Sequence, residues 1–364
     1  MKICFLAGAN SIHSYRWVKY FADKAHKIYW LSLTSLTVGS SILNVNFYEI
    51  EQSRIKIFSI LKAIFPVKKL IKEIEPEILH AHYAGTYGLL GALSGFHPFV
   101  VTTWGSDVLF AGKSKIKGFL VKFILNKANL ITCDANHMID AMVKLGINNE
   151  KIRLVNFGVE IDKFQPGGKY ENLRAKLGLF NSPTIISLRN LEPIFDIATL
   201  INSIPYVLRD IPEVKFVIAG TGSQERCLKE LAKSLGVIDS IRFMGRYSND
   251  ELPKYLASAD IYVSTSLSDA GISASTAEAM ACGLPVIITD SGENRMWVKD
   301  GENGFIVPVR NPEILAEKII YLLKNDDMRT RFGRINRKII EERNNHYVEM
   351  GKMESIYEEL IKKS

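Results

Sequence analysis

The stretch Ser264–Pro308 reads STSLSDAGISASTAEAMACGLPVIITDSGENRMWVKDGENGFIVP. An apolar run, Ile261–Ser264, ends in hydroxyl residues; a turn with Asp269 and Gly271 follows, and a helix opens that carries Glu278. Two further apolar runs come next, Val286–Thr289 and, past a polar segment, Phe305–Val307. Strand, glycine turn, helix and strand in that order describe one crossover of a parallel sheet. The first-turn N–H groups of such a helix lack partners inside it, so they suit an anion or sugar hydroxyls. A carboxylate one turn further in accepts two hydrogen bonds, which suits a vicinal diol such as a ribose.

The same alternation extends in both directions. Upstream in this half lie Thr184–Leu188, Val214–Ala219 and Ile241–Met244, with helical patterns near Ile197–Leu208, Gln224–Leu235 and Asp250–Leu256. Earlier still come Ile3–Ala7, Ile28–Leu33, Val45–Ile50, Ile78–His82, Phe99–Trp104, Leu130–Cys133 and Ile152–Phe157, interleaved with helix-length segments. Several runs lack polar alternation, as strands buried on both faces do. Phe164-Gln165-Pro166-Gly167-Gly168 punctuates the two series. We therefore expect an α/β chain of two doubly wound, Rossmann-like domains, 1–165 and 166–346, facing across a cleft. A helix over about 347–364 is expected to pack back on the first.

Composition narrows the function. The 364 residues are 47% hydrophobic and 23% charged, which excludes a largely disordered or fibrous chain. Four scattered cysteines form neither a zinc motif nor a disulfide framework, and no apolar run is long enough to span a bilayer. The N-terminus reads as a first strand, so a cytoplasmic enzyme is expected, peripheral on the inner face of the membrane. The formal charge of +7 is unevenly spread: residues 1–165 hold 20 Lys+Arg against 12 Asp+Glu, and the remainder 26 against 27.

The motif stretch resembles the donor-site signature of the retaining glycosyltransferase family 4, whose fold is GT-B. The resemblance rests on Glu278-Ala279-Met280-Ala281-Cys282-Gly283-Leu284-Pro285-Val286 and on Asp300-Gly301-Glu302-Asn303-Gly304-Phe305-Ile306-Val307-Pro308. It extends to Ile218-Ala219-Gly220-Thr221-Gly222, to Phe243-Met244-Gly245 and to Asn156-Phe157-Gly158-Val159 through Pro166. It implies a nucleotide diphosphate-sugar as co-substrate, held mainly by the second domain, and an acceptor held mainly by the first. Glu278 would take the ribose hydroxyls, and Gly271, Ile272 and Ser273 would face the transferred sugar. Gly220 and Gly222 would let the backbone approach the nucleotide, and Arg189 would neutralise the diphosphate, where charge builds as the glycosidic bond breaks. The family's lack of a required metal agrees with the absence of an Asp-x-Asp motif, so neither metal nor cofactor is expected.

Three positions depart from the family pattern. Ala270 stands where the first of two glutamates is usual, with Asp269 beside it expected to supply the carboxylate for the donor; Phe195 replaces a lysine that follows Arg189; and Trp104 replaces a site histidine. An indole cannot serve as acid or base, which leaves its ring, its N–H, the backbone carbonyl and Asp107 as contacts; Trp104 and Asp107, with Arg189 and Glu278, are expected at the catalytic centre. In the loop after the first strand, Ser11, His13 and Arg16 are candidates for acceptor or diphosphate. We expect His80 and His82 to point to opposite sides of their strand, with His82, nearer the carboxyl end, at the site; that separation argues against a metal pair.

Residues 53–74 and 112–130 combine lysines with Phe, Ile and Leu, a composition suited to an anionic membrane interface. No stacking platform of interleaved aromatic and basic residues is present, so nucleic acid is not expected as a partner. The leading expectation is a retaining glycosyltransferase acting on a glycan or lipid-linked acceptor in glycoconjugate synthesis. The three departures motivate an alternative, a catalytically weak GT-B protein that binds a glycan or a partner.

Overall fold

The computed structural model describes residues 1–36, 42–51, 56–168 and 170–363, without the side chains of 56–59, 61 and 113. The start of the basic stretch 53–74, Arg54 included, and the Lys113 side chain lie outside the described residues. The chain forms two compact units, Met1–Phe157 with Val348–Ser364, and Gly158–Tyr347. The division falls before the Pro/Gly punctuation at 164–168 because Val159 and Phe164 are buried in the core of the second unit.

The first unit runs β1 (Lys2–Leu6), α1 (Ile12–Asp23), β2 (Lys27–Ser32), β3 (Val45–Glu49), α2 (Lys56–Ile74), β4 (Ile78–His82) and α3 (Thr86–Ser94). It continues through β5 (Phe99–Thr102), α4 (Ser106–Leu109), α5 (Lys115–Lys127), β6 (Leu130–Cys133), α6 (Asn136–Lys144) and β7 (Ile152–Leu154). The sheet order is β3-β2-β1-β4-β5-β6-β7, all parallel, with the order reversing between β1 and β4. Every residue of β4, β5 and β6 is buried, which is why their sequences show no polar alternation. Right-handed crossovers put α1 on one face and α2, α3 and α5 on the other, with α2 and α5 each packed against α3.

The second unit runs α7 (Glu171–Lys176), β8 (Thr184–Ser187), α8 (Ile197–Asp210), β9 (Lys215–Ala219), α9 (Glu225–Ser234), β10 (Ile241–Gly245) and α10 (Leu252–Ala257). Then come β11 (Ile261–Ser264), α11 (Ala274–Ala281), β12 (Val286–Thr289), α12 (Asn294–Trp297), β13 (Gly304–Val307), α13 (Pro312–Leu323) and α14 (Asp326–Arg343). Its parallel order is β10-β9-β8-β11-β12-β13, reversing between β8 and β11. The last helix, α15 (His346–Lys363), returns the chain to the first unit. There Met350, Met353 and Tyr357 are buried against Trp17 and Phe21 of α1. His26 Nε2 to Glu354 (2.7 Å) and Asn156 N to Glu349 (2.8 Å) fix it further.

His80 and His82 do not diverge. Their ring centroids are 4.8 Å apart and both are buried, because the strand period of two returns residue i+2 to the same face. His80 is consumed structurally: Nδ1 meets the Tyr357 hydroxyl, and Nε2 meets Thr102 Oγ1 at 2.7 Å. Among the described residues, no helix is long and apolar enough to cross a membrane.

In the second unit α14 lies directly on the end of α11. A Cβ on Gly333 would stand 2.0 Å from the Gly283 carbonyl oxygen, so only glycine permits this approach. Asn336 of α14 donates to Leu284 O (2.8 Å) and accepts from Asn303 (2.8 Å), whose own Oδ1 receives Lys299 N (2.7 Å). The asparagine of the Asp300–Pro308 motif thus holds a turn and a helix. Gly333→Ala should destabilise the protein by about 1–3 kcal/mol through forced displacement of α14, read as a lower midpoint of thermal unfolding; an unchanged midpoint would show that the two helices separate freely.

Candidate functional site

In an open parallel sheet, ligands bind beyond the carboxyl ends of the strands where the strand order reverses. In the second unit that point lies between β8 and β11, and it gathers the segments that leave them. Arg189, past β8, donates through Nη2 to Asp269 Oδ1 at 2.5 Å, and the two side chains are only 9% and 7% exposed. Nη1 lies 3.4 Å from Ser275 Oγ, which Tyr262 contacts at 2.8 Å. The guanidinium rests 4.4 Å from the centroid of Phe195, and its buried Nε has no partner among the described residues. Burial pushes the Asp269 carboxyl above its usual range, opposed by Arg189 and by hydrogen bonds from Asn294 and Ser266.

Ser273 caps α11, its hydroxyl accepting from Thr276 N at 3.3 Å, while Gly271 is buried and Ile272 packs on the core beneath the helix. Glu278 is half-buried one turn into α11. Its charge reaches the Tyr247 hydroxyl, which burial first, and Glu278 second, raise above the ordinary tyrosine range. The glycine loop lies alongside. A Cβ on Gly220 would stand 2.3 Å from Arg189 O, and one on Gly222 2.3 Å from Leu191 O. The close approach these glycines allow is to the chain's own 189–191 segment, with Leu191 N donating to Thr221 O at 3.1 Å. A groove of about 770 Å³ in the same unit, lined by Pro166, Gly283, Pro285, Arg334 and Lys338, contains none of these residues.

In the first unit the reversal between β1 and β4 assembles aromatic side chains. His13 lies 5.5 Å from Trp104 and 5.0 Å from Phe157, Trp104 lies 5.6 Å from Phe157, and His82 lies 5.8 Å from Trp104 (ring centroids). Burial lowers His13 to about 4, with Arg16 adding to the effect, and lowers His82 to about 3, with His13 adding. Both rings are therefore neutral near pH 7. His82 Nδ1 meets Ser14 Oγ at 3.3 Å, whereas His82 Nε2 and Trp104 Nε1 are buried without partners among the described residues. Ser11 caps α1 by accepting from Ser14 N, and Arg16 is buried on that helix.

Asp107, expected as a polar contact for substrate, instead holds the turn after β5. Its carboxylate accepts from Ala84 N (2.8 Å), Trp104 N (3.0 Å) and Val108 N (3.1 Å). Burial raises this carboxyl and the backbone donors oppose that rise. Among the described residues, no three His, Cys, Asp or Glu side chains gather as a metal ion requires.

The structure thus brings Arg189, Asp269, Ser273 and Glu278 to one edge of the second sheet, and His13, His82 and Trp104 to one edge of the first. Sequence reasoning missed Tyr247, Tyr262, Ser275 and Phe157. Tyr262 and Tyr247 look like core residues, and Ser275 like an ordinary first-turn serine. Phe157 lies inside the Asn156–Val159 motif and was within reach.

Comparison with known proteins accords with this geometry. The family model for glycosyl transferases group 1 matches residues 169–339, and that for glycosyl transferase 4-like proteins matches residues 2–135. Over 356 residues the chain is 22% identical to N-acetyl-alpha-D-glucosaminyl L-malate synthase of Bacillus anthracis, covering 94% of this chain and 92% of that one. Over 188 residues it is 30% identical to a GDP-mannose-dependent alpha-(1-6)-phosphatidylinositol monomannoside mannosyltransferase of Mycobacterium tuberculosis, about half of each chain. The structure of HepE from Anabaena in complex with UDP-glucose superposes with a TM-score of 0.84 at 18% identity, over 99% of this chain and all of that one. The chain accordingly belongs to glycosyltransferase family 4, with the GT-B fold, and is a retaining enzyme that takes its sugar from a nucleotide-sugar donor.

Proposed function

We propose that the second unit holds the donor through Arg189, Glu278 and the capped start of α11, and that the first unit receives a lipid-linked acceptor at an anionic membrane surface. The observation that carries the donor half is the convergence of Arg189, Ser273 and Glu278 at the β8–β11 reversal. As the glycosidic bond breaks, negative charge collects on the leaving diphosphate, and the guanidinium with the first N–H groups of α11 opposes it. Glu278, one turn in, takes two ribose hydroxyls. No side chain at the Trp104 position titrates, and the neutral His13 and His82 rings supply no charge near pH 7. The acceptor proton therefore passes to the leaving diphosphate on the face where the new bond forms.

The acceptor half rests on two features of the first unit. Trp104 Nε1 and His82 Nε2 are buried polar groups without partners among the described residues, beside an aromatic wall of His13 and Phe157, a setting that suits a sugar ring and its hydroxyls. The outer side of the α2–α3–α5 layer exposes Phe65 (78%), Ile116 (82%) and Phe119 (74%), with exposed Lys62, Lys68, Lys69, Lys115, Lys117 and Lys122 around them. Each lysine near an anionic bilayer contributes about 1 kcal/mol. Because α5 runs back from the carboxyl edge of the sheet, Ile116 and Phe119 sit toward the edge where Trp104 lies. The mycobacterial relative is named for a phosphatidylinositol acceptor, which agrees with this reading. One relative is named GDP-mannose-dependent and HepE is solved in complex with UDP-glucose, and thermal-shift screening against UDP-, GDP-, ADP- and dTDP-sugars selects among the bases.

Two outcomes test the assignment. Glu278→Ala should lower kcat/KM for the donor by about 100-fold, the loss of two hydrogen bonds to a charged group at about 1.5 kcal/mol each. Arg189→Lys, which keeps a partner for Asp269 but not the planar fork, should lower it roughly tenfold; near-normal rates in both would mean that these residues do not hold the donor. Lys115, Lys117 and Lys122 changed together to Gln should abolish flotation with anionic vesicles while melting stays unchanged, and undiminished flotation would remove the membrane from the proposal.

A further inference from the structure

Arg189 is already neutralised before any ligand arrives. Asp269 takes Nη2 at 2.5 Å, Phe195 covers a face of the guanidinium, and Ser275 stands 3.4 Å from Nη1. With Phe195 where the family pattern has a lysine, the guanidinium and its carboxylate form a pair of one cation and one anion, both more than nine-tenths buried. A diphosphate cannot be attracted to a pair of zero net charge as it would be to a free guanidinium. Yet Nε is buried and without a partner among the described residues. Leaving such a donor unmatched is unfavourable, and an incoming oxygen would satisfy it.

The carboxylate is equipped to release the guanidinium. Besides Arg189, the polar side chains of Ser266 and Asn294 lie near Asp269 and oppose the effect of burial on its carboxyl, so its surroundings stay polar if the ion pair opens. Its backbone is pinned independently. A Cβ on Gly292 would stand 1.9 Å from Asp269 O, and Glu293 N donates to Ala270 O at 3.3 Å. Opening therefore requires the Arg189 side chain to rotate over Phe195 while the turn stays in place.

We propose that Asp269 is a resident counter-ion that occupies Arg189 until the diphosphate displaces it, and that it thereby sets how tightly the second unit holds nucleoside diphosphates. The inference rests on Arg189 serving the diphosphate, as argued above. Asp269 is a positioning residue: it touches neither sugar nor base and acts through Arg189. Its consequence is weak retention of the leaving nucleotide, since the carboxylate reclaims the guanidinium as the product departs.

The test is calorimetric binding of UDP, GDP, ADP and dTDP to the full chain and its variants. Asp269→Asn, which keeps an acceptor for Nη2 but removes the charge, should bind the diphosphate that the unmodified chain prefers roughly tenfold more tightly, in the range of close charge-pair couplings. The gain should come from slower dissociation, and product inhibition of transfer should deepen in parallel. It should vanish when Arg189→Gln is added to Asp269→Asn, and Asp269→Ser serves in place of Asp269→Asn should that variant unfold. Equal or weaker binding by the folded variant would overturn the inference and leave the donor assignment standing. Tightening that survives Arg189→Gln would overturn it too, by showing that Asp269 acts elsewhere. Were the unmodified chain to bind none of the four nucleotides, the role given to Arg189 and the inference would fall together.

Discussion

The pairing of β8 with β11 is short, Ile261 opposite Ile185 and Tyr262 opposite Ile186, and the chemistry of the second unit depends on it. Two strands that are far apart in the chain lie side by side with their carboxyl ends level, and the connections on either side wind in opposite directions. No helix can cover the gap at that edge, so Arg189 and the 265–273 turn meet in it. The Tyr262 hydroxyl, reaching from the paired strand itself, contacts Ser275 and links the sheet to the first turn of α11. The first unit repeats the device at β1 and β4, with His13 arriving on the first turn of α1 and Trp104 from the turn after the neighbouring β5.

The two edges differ in their physics. That of the second unit is ionic and balanced, a guanidinium and a carboxylate that hold each other. That of the first is aromatic, with two neutral histidine rings, two buried nitrogens without partners among the described residues, and Arg16 nearby as its buried cation. A diphosphate and a sugar hydroxyl ask for these different surroundings, the first for a fixed cation and aligned N–H groups, the second for a ring face and a donor.

Much of the fold was legible because a parallel sheet covered on both faces writes its strands as unbroken apolar runs; β4, β12 and most others stand within a residue or two of those runs, while β7 ends at Leu154, three residues before its run does. Motif residues were legible where the main chain dictates position, as for Ser273 at a helix start. Side-chain direction was not. Asp269 lies in a turn whose last torsions decide whether it faces sugar or guanidinium. Asp107 reads equally as a reactive carboxylate or as a clasp for three N–H groups. The error over His80 and His82 was one of period, since two residues along a strand is a full repeat. Gly220 and Gly222 were read as space for a ligand because the neighbouring 189–191 segment is remote in sequence and close only after folding.

Helix α15 makes the core of the first unit depend on residues that follow the second unit in the chain. Tyr357 and Met353 fill the core beside Trp17 and Phe21, and Tyr357 completes the hydrogen-bonding of His80. On the ribosome, the whole of the second unit emerges before those side chains do. The first unit must therefore wait, partly built and with an apolar face uncovered, while the later one folds ahead of it. The order of synthesis and the order of completion run opposite ways, since a helix made after the second unit is the one that closes the first core.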